Sequence, residues 1–310
     1  MTKKAAAPLL AKSLGRRFDL FDSQGALAVV LLLPSCLIIF GVLLFPMLSS
    51  LVLSFTDLKL TRPGSGQFIW FKNYLSAFSN PLFWASVGRT GIFTVATVVV
   101  EVCLGLMVAL LLNAKFRGRG FIRGLIILPW ALPYVVNGIM WKWIFDANYG
   151  VLNAILSQMG LISDYQIWLG DPTMAMVIVI LANIWKETPV AIILLLAALQ
   201  GMSGELTEAA SIDGAGKWTI FRKIILPYLK PMIITLVVIK VIWALKEFDL
   251  IYIITKSGPA NATNLFSYYI YQNSFQYLDF GYGAALAYIL TILALLMSVT
   301  YMKAMKGEQS

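Results

Sequence analysis

Charged and amide side chains interrupt two long apolar runs in the second half of the sequence. The candidates for a polar path through these runs are Asn183, Lys186, Glu187, Trp243 and Glu247. If the runs cross a bilayer, each charge costs roughly 2.5–3.5 kcal/mol on insertion scales, so such residues usually face a cavity or a charged partner. We therefore predict that the two runs line the path of a polar solute. The alternative is mutual ion pairing or contact with a second membrane chain, and it is favoured for Lys246 and Asp249, which could pair on one helix face.

The third apolar run adds a stripe of aromatic and amide side chains. Trp130, Tyr134, Asn137 and Trp141 are spaced 4, 3 and 4 residues apart, so they share one face of a helix. Aromatic faces can stack on the C–H surfaces of a sugar, and an asparagine amide both donates to and accepts from hydroxyl groups. Packing between helices and anchoring at the membrane interface explain the same pattern equally well. Tyr134, Asn137 and Trp141 complete the candidate set for the solute path.

Catalytic chemistry has few groups to draw on in this sequence. Histidine is absent, which removes the commonest general base and the commonest metal ligand. Cys36 and Cys103 both lie within apolar runs, and no cluster has the spacing of metal ligands. Gly216-Lys217 does not complete a phosphate-binding loop, because Ser211 and Trp218 stand where glycine and Ser or Thr are required. We predict no catalytic residue, metal or cofactor on this chain; a membrane enzyme would have to use the few intramembrane carboxylates and lysines.

The composition indicates a membrane protein. Of the 310 residues, 59% are hydrophobic and 13% are charged, about half the charged fraction of a soluble domain. Six apolar runs are long enough to cross a bilayer as helices, which need about 20 residues and pair their backbone groups internally. They cover residues 27–55, 87–113, 122–145, 172–200, 231–255 and 280–302. We predict an all-α polytopic membrane protein with six transmembrane helices, in which no internal repeat or soluble domain is evident.

Lysine and arginine are unevenly distributed among the connections. If the six helices alternate in direction, fifteen of these residues lie on one side and four on the other. Because positively charged connections stay in the cytoplasm, both termini are predicted to be cytoplasmic. The predicted organisation is a basic N-terminal segment (1–26), a six-helix domain (27–302) and a tail (303–310) in the cytoplasmic membrane. The net charge of +9 is spread over short segments rather than one basic face, so no nucleic-acid partner is predicted.

The connection 56–86 and one face of the second apolar run need no role in a solute path. The external connection 56–86 is rich in aromatic residues, which are typical of interfacial anchors, although a docking surface for an external partner is the alternative. In the second run, a series of small and polar side chains shares one helix face, and this spacing typically marks helix packing. These residues are Thr90, Thr94, Thr97, Glu101 and Gly105.

The largest basic connection has its own local pattern. Residues 205–213 are favourable helix sequence with acidic side chains in the first turn. Gly214 suits a left-handed helix cap, and a short amphipathic helix follows until Pro227, which we expect to end it. We predict a helix–glycine turn–helix element at the cytoplasmic surface between the fourth and fifth spans.

This element resembles the coupling loop of the permeases of ABC importers. A Glu208-Ala209-Ala210 triplet is followed after three residues by Gly214, and after nine more by Ile224-x-Leu226-Pro227. In that family the loop docks into a cleft on a separate ATPase subunit, with the glutamate as a polar anchor and the alanines allowing close approach. The resemblance implies that loop 201–227 couples to an ATPase through Glu208, Ala209, Ala210, Asp213, Gly214, Ile224, Leu226 and Pro227. It also implies a second permease subunit in a heterodimer, two ATPase subunits that bind the ATP and Mg, and an extracytoplasmic solute-binding protein.

Other segments resemble the carbohydrate-uptake branch of these permeases, and in particular the maltose-type first permease. They include Glu208 to Gly216, Trp243 followed by Phe248-Asp249, and Asp279 to Tyr282. The resemblance implies import of a small carbohydrate-like solute by alternating access. A permease of this class for amino acids or peptides is one alternative. A secondary transporter is another, but such proteins often contain inverted repeats or broken helices, and none is evident here.

Overall fold

The computed structural model describes residues 24–114 and 116–307. Most of these residues lie in helices, and the β contacts among them are two isolated bridges, Thr56–Phe68 and Lys59–Asp279. The predicted all-α class is therefore confirmed. The predicted N-terminal segment lies outside the described residues except for residues 24–26, as do Lys115 and the last three residues of the predicted tail.

Thirteen α-helices follow one another in the described part of the chain. They are α1 (Gln24–Ile38), α2 (Phe45–Ser54), α3 (Lys72–Phe78), α4 (Pro81–Asn113), α5 (Arg119–Ala131), α6 (Tyr134–Ile144), α7 (Val151–Gln158), α8 (Pro172–Gln200), α9 (Gly204–Ile212), α10 (Lys217–Ile220), α11 (Leu226–Leu245), α12 (Phe266–Tyr271) and α13 (Phe280–Gly307). Wide π-helical turns at Ile39–Leu44, Phe221–Ile225, Ile251–Thr255 and Gln272–Gln276 connect or extend them.

The described residues before Ser54 form a unit of their own. In the described residues this unit consists of α1, the wide turn Ile39–Leu44 and most of α2. No charged residue occurs between positions 24 and 53. The wide turn separates Pro34, inside α1, from Pro46 at the start of α2.

The second unit begins at Ser54 and is organised around α4, α8 and α11. Gly105 allows α4 and α8 to approach closely, because a Cβ atom at this position would lie 2.6 Å from the Cβ of Ala191. The small and polar stripe of α4 is buried along its whole length, as the packing interpretation predicted. The long central helices therefore form a rigid frame for the residues between them.

Five described helical segments are long and apolar enough to cross a membrane, and a bent helix pair makes a sixth if it counts as one span. That pair is α5 and α6, which meet at 92° across a short break. The prediction of one continuous helix over 122–145, and of no broken helix, was therefore wrong. Leu132 is extended, with ψ at 138°, and Pro133 precedes α6. A residue before proline avoids the helical region, and proline supplies no N–H for the preceding turn, so the helix cannot continue.

Further span boundaries differ from prediction, and among them the helical segment of the fifth span begins at Lys217 rather than at 231. The second span begins at Pro81 rather than at 87, because Asn80 caps the helix by accepting from Leu82 N at 2.9 Å and Pro81 suits the first helical position. The fifth span ends at Leu245 rather than at 255. Here the Glu247 carboxylate accepts from the backbone N–H of Leu250 at 3.0 Å. This hydrogen bond caps the short helical segment that follows, so α11 does not continue.

Candidate functional site

A cavity of about 320 Å³ opens where the α5–α6 break, the middle of α8 and the end of α11 meet. We call it the central cavity. Its lining residues are Trp130, Tyr134, Lys186, Glu187, Trp243, Lys246, Glu247, Phe248 and Asp249. The break in the third span and the early end of α11 both expose side chains that a continuous helix would bury or direct elsewhere. The two departures from regular helix therefore create the cavity.

A buried ionic cluster supports one wall of this cavity. The Lys240 ammonium on α11 lies 3.0 Å from Oε2 of Glu101 on α4 and 3.0 Å from Oε2 of Glu187 on α8. The ammonium also donates to the main-chain carbonyl of Glu187 at 2.6 Å. All three side chains are almost fully buried. The Lys240 cluster, defined by these three residues, therefore ties together the three central helices.

Tyr134 extends this cluster to the broken span. Its hydroxyl group donates to Oε1 of Glu187 at 2.6 Å, so both oxygens of that carboxylate have partners. Because Tyr134 is the first residue of α6, the hydrogen bond fixes the start of the second half of the span relative to α8. Glu187 thus joins the cavity wall to the buried core.

Lys186 binds the backbone at the break between α5 and α6. Its ammonium donates to the carbonyl oxygens of Trp130 at 3.1 Å and Leu132 at 2.6 Å, and lies 4.4 Å from the centre of the Tyr134 ring. The last carbonyls of a helix lack partners within the helix and carry partial negative charge. Lys186 therefore satisfies two carbonyls at the broken end.

Glu247 occupies the corresponding place at the end of α11. Besides capping Leu250, its carboxylate accepts from the Asn183 amide at 3.2 Å. Ser267 donates to the Glu247 main-chain carbonyl. The side chains of Tyr134, Lys186, Glu187 and Glu247 in the cavity wall are therefore held in position by hydrogen bonds within the chain.

Aromatic rings provide the remaining surface. Trp243 is 40% exposed, and its ring centre lies 5.2 Å from the Lys240 ammonium. Phe248 stacks on Tyr252 with ring centres 5.4 Å apart. Lys246 and Asp249 are exposed, and the predicted pair is absent from the ion pairs of the described residues.

The predicted path residues divide into two groups. Five line the central cavity: Tyr134, Lys186, Glu187, Trp243 and Glu247. Three do not line it: Asn137 is fully buried and donates to Ala182 O at 3.2 Å, Asn183 supports Glu247, and Trp141 packs between Phe145 and Trp185. Sequence reasoning missed Phe248 as a wall residue and Glu101 with Lys240 as the support behind the wall. The signal for the support was a carboxylate and an ammonium in the middle of two different spans, since each needs a buried partner.

The 201–227 loop forms a second candidate site. Helix α9 begins after Ser203, which accepts from Glu205 N at 3.3 Å, and ends in a left-handed Gly214 with φ at 79°. Ala215 N donates to Ala210 O at 2.9 Å, which closes the turn. Glu208, Ala209, Asp213 and Gly214 are exposed, while Ala210, Ile224 and Leu226 are half-buried. The structure therefore has a helix at Gly204–Ile212 followed by a left-handed glycine, and these residues present an open surface.

We predicted that Pro227 would end the second helix of this loop, and this prediction was wrong. Helix α10, the wide turn Phe221–Ile225 and α11 run on as one helical segment, Lys217–Leu245. In the wide turn Leu226 N donates to Phe221 O, five residues back. A π-type turn makes room for a proline ring that would otherwise meet a carbonyl of the preceding turn. The loop is thereby continuous with a span that carries Lys240.

The sequence profile of the family described as "Binding-protein-dependent transport system inner membrane component" matches residues 101–305. The chain belongs to this family. It is therefore an inner-membrane transport component. This family membership confirms the prediction of an ABC importer permease, which is a transport subunit rather than an enzyme. The match includes the Lys240 cluster, the central cavity and the 201–227 loop.

Similar proteins cover almost the whole chain. The sulfoquinovosyl glycerol transport system permease protein SmoG of Agrobacterium fabrum is 36% identical over 293 residues, which is 94% of each chain. The trehalose/maltose transport system permease protein MalF of Thermococcus litoralis is 34% identical over 90% of this chain and 94% of that protein.

Solved structures have the same fold. A chain of a bacterial ABC transporter involved in the import of the acidic polysaccharide alginate superposes with a TM-score of 0.78 at 24% identity, over 90% of this chain and 94% of that one. A chain of the MetNI methionine ABC transporter in an inward-facing conformation superposes with a TM-score of 0.53 at 16% identity. These likenesses establish the architecture of an ABC transporter permease.

Proposed function

We propose that this permease forms part of the translocation path for a sugar or sugar-like solute, and that the central cavity is its solute contact. The observation that carries this proposal is the composition of the cavity wall. Trp130, Tyr134 and Trp243 offer aromatic faces, and Lys186 and Glu187 are held beside them by buried hydrogen bonds. Sugars need both apolar stacking surface and fixed polar partners. The relatives named for sulfoquinovosyl glycerol and trehalose/maltose support the same solute class.

The 201–227 loop is proposed to transmit movement from a separate ATPase, which would bind the ATP and Mg. Ile212 is 87% exposed and Trp218 is 70% exposed, although both are large apolar residues. Exposed apolar surface around Glu208 and Gly214 fits a protein contact. Because the loop is continuous with α11, a displacement of the loop would reach Lys240 and hence the cavity wall.

The proposed topology places the 1–26 segment, the 201–227 loop and the 303–310 tail in the cytoplasm, with residues 27–302 as the permease domain. The supporting observation is the concentration of Lys and Arg on that side. The full assembly would comprise this chain, a second permease subunit, two ATPase subunits and an extracytoplasmic solute-binding protein. Closure of the ATPases would open the cavity to the outside by rigid-body motion of the spans.

Purification of the tagged chain from native membranes in a mild detergent tests the assembly. We expect mass spectrometry to identify an ATPase and a second permease in the same complex, and sugar uptake by proteoliposomes to require ATP. Recovery of this chain alone, in several detergents and at good yield, would argue against the assembly.

The coupling role is tested by Glu208→Lys combined with Gly214→Trp. We expect the complex to lose solute-stimulated ATP hydrolysis, whereas turnover at the wild-type rate would contradict the role of the loop. The solute class is tested separately, by screening sugars and amino acids against the co-purified binding protein. Binding of an amino acid and of no sugar would favour a permease for another solute class.

A further inference from the structure

A second cavity, of about 240 Å³, lies outside the proposed solute path. It is bounded by the end of α4, the start of α5 and the end of α8, and we call it the Arg123 cavity. Its lining residues are Leu112, Arg123, Ile126, Ile127, Ile192, Ile193, Leu196, Ala197 and Gln200. Neither the solute path nor the 201–227 loop uses it.

The position of this cavity is at the membrane boundary. Leu112 is the last but one residue of α4, and Gln200 is the last residue of α8. Ile192 lies eight residues further into α8, which is about 12 Å along the helix axis at 1.5 Å per residue. The cavity therefore extends from headgroup depth into the acyl-chain region, and its deeper walls are aliphatic.

Arg123 is the charged group at the outer end. Its Nη2 donates to Leu112 O at 2.9 Å, at the carboxyl end of α4. With the side-chain oxygen of Gln200 turned towards the guanidinium, that oxygen accepts from Nη1 at 3.2 Å and Nη2 at 2.9 Å. Both acceptors are neutral, and the ion pairs among the described residues include none with Arg123. Its Nε is buried without a hydrogen-bond partner.

The positive charge is therefore held in place without being neutralised. Of the two Nη1 hydrogens, one is given to Gln200 and the other has no assigned acceptor in the described part of the chain, and a guanidinium N–H donates a charge-assisted hydrogen bond to a phosphate oxygen. Arg119 lies just before Arg123 in the same connection, which would draw an anionic membrane surface towards the cavity. A zwitterionic lipid would fill the aliphatic walls, but its own ammonium would offset the charge of its phosphate.

We propose that the Arg123 cavity binds an anionic phospholipid, with the phosphate at Arg123 and the upper part of one acyl chain between the isoleucines of α5 and α8. The leaflet is the one on the side of the 201–227 loop. That leaflet is cytoplasmic if the proposed topology holds, whereas binding itself does not depend on the topology. The occupant would brace the first half of the broken span against α4 and α8.

Native mass spectrometry of the full-length chain, purified with its accompanying subunits, tests this site. The probes are phosphatidylglycerol and phosphatidylcholine with identical acyl chains. We expect phosphatidylglycerol to bind about tenfold more tightly. Both lipids offer a phosphate to Arg123, but the choline ammonium of phosphatidylcholine offsets the charge of its phosphate, whereas phosphatidylglycerol keeps a net negative charge. Arg123→Gln should abolish this preference, and Arg117→Gln, which removes an exposed charge from the same connection, should preserve it.

Two further measurements keep the test decisive if Arg123→Gln fails to fold. Ile192→Trp fills the cavity but retains the charge, and we expect it to reduce the binding of both lipids. Inorganic phosphate in large excess should not displace phosphatidylglycerol. Equal binding of the two lipids, an equal effect of the two arginine variants, or displacement by phosphate would each overturn the proposal. ATP-dependent uptake measured in the same preparation reports on the proposed function independently.

Discussion

Lys240 and Glu187 contact each other twice: the Lys240 ammonium lies 3.0 Å from the Glu187 carboxylate and 2.6 Å from the main-chain carbonyl oxygen of the same residue. The second oxygen of that carboxylate accepts from Tyr134 in the wall of the central cavity. The pair therefore connects the three packed helices to the surface that a solute would touch.

Replacing Lys240 with methionine should destabilise the protein strongly. The variant leaves Glu101 and Glu187 buried without their cation, and removing one partner of a buried ion pair costs roughly 3–5 kcal/mol. Thermal unfolding of the purified chain in detergent measures the loss. Adding Glu101→Gln and Glu187→Gln to Lys240→Met should recover most of it, since no uncompensated charge then remains. A single variant that melts at the wild-type temperature would contradict the cluster.

Lys186→Met should loosen the break between α5 and α6. The carbonyls of Trp130 and Leu132 would lose their charged donor, and each such hydrogen bond contributes about 1.5–3 kcal/mol. We expect uptake by proteoliposomes to fall at least tenfold and amide exchange over residues 130–137 to rise, with the ATPase still bound. Lys142→Met, at an exposed position of α6, is the control and should change neither quantity.

Two glycines of α4 should respond oppositely to alanine. Gly105→Ala places a methyl group 2.6 Å from the Cβ of Ala191, and overpacking of this kind costs about 1–3 kcal/mol. Gly88→Ala meets open space and should leave the melting temperature unchanged or raise it slightly. Equal melting temperatures for the two variants would show that α4 and α8 are not in close contact there.

The same comparison can be made in the 201–227 loop. Gly214 has φ at 79°, where a residue with a Cβ costs about 1–2 kcal/mol, whereas Gly216 has φ at −67°. Gly214→Ala should therefore weaken solute-stimulated ATP hydrolysis by severalfold, with basal hydrolysis by the ATPase unchanged. Gly216→Ala should behave like the wild type. The coupling role would be contradicted if both variants kept full stimulation.

The stability of the turn around Asp57 should depend on pH. Hydrogen bonds from the backbone N–H of Gly66 and Gln67, with help from Arg62, hold the pKa of the Asp57 carboxyl below its usual range. The pKa of Asp57 is thus lower in the folded chain than in the unfolded chain. The ionised carboxylate therefore stabilises the turn at any pH above the unfolded pKa, and this stabilisation is lost as the pH falls through the folded pKa. At neutral pH, Asp57→Asn should accelerate amide exchange at Gly66 and Gln67, while Asp164→Asn should have no effect there.

The sequence was sufficient for the spans but not for the break in the third one. Apolar length reports bilayer crossing directly, so five of the six runs coincide with long helices. Prolines are less informative, because Pro34, Pro189 and Pro231 all lie inside helices. What distinguishes Pro133 is the extended Leu132 before it and the Lys186 ammonium that binds the freed carbonyls. Only the tertiary structure brings that lysine to the break.

The sequence predicted site residues that one helix face determines. It did not predict the contacts that require two helices to meet. Glu187 and Trp243 were identified from the sequence because charged and aromatic residues within a span usually face a cavity or a partner. The pairing of Glu101 with Lys240 joins helices that are far apart in the sequence, so spacing along either helix carries no trace of it. The left-handed Gly214 of the 201–227 loop was predictable because its backbone conformation is a local requirement.

The Lys240 cluster also constrains how the chain is made. Ribosomal synthesis delivers α4 and α8 to the insertion machinery before α11, so Glu101 and Glu187 arrive ahead of their only shared ammonium in the described structure. Each carboxylate is unfavourable in lipid until that moment. We therefore expect the two earlier helices to remain at the protein–lipid boundary of the translocon until α11 has been synthesised, so that the three helices enter the bilayer together.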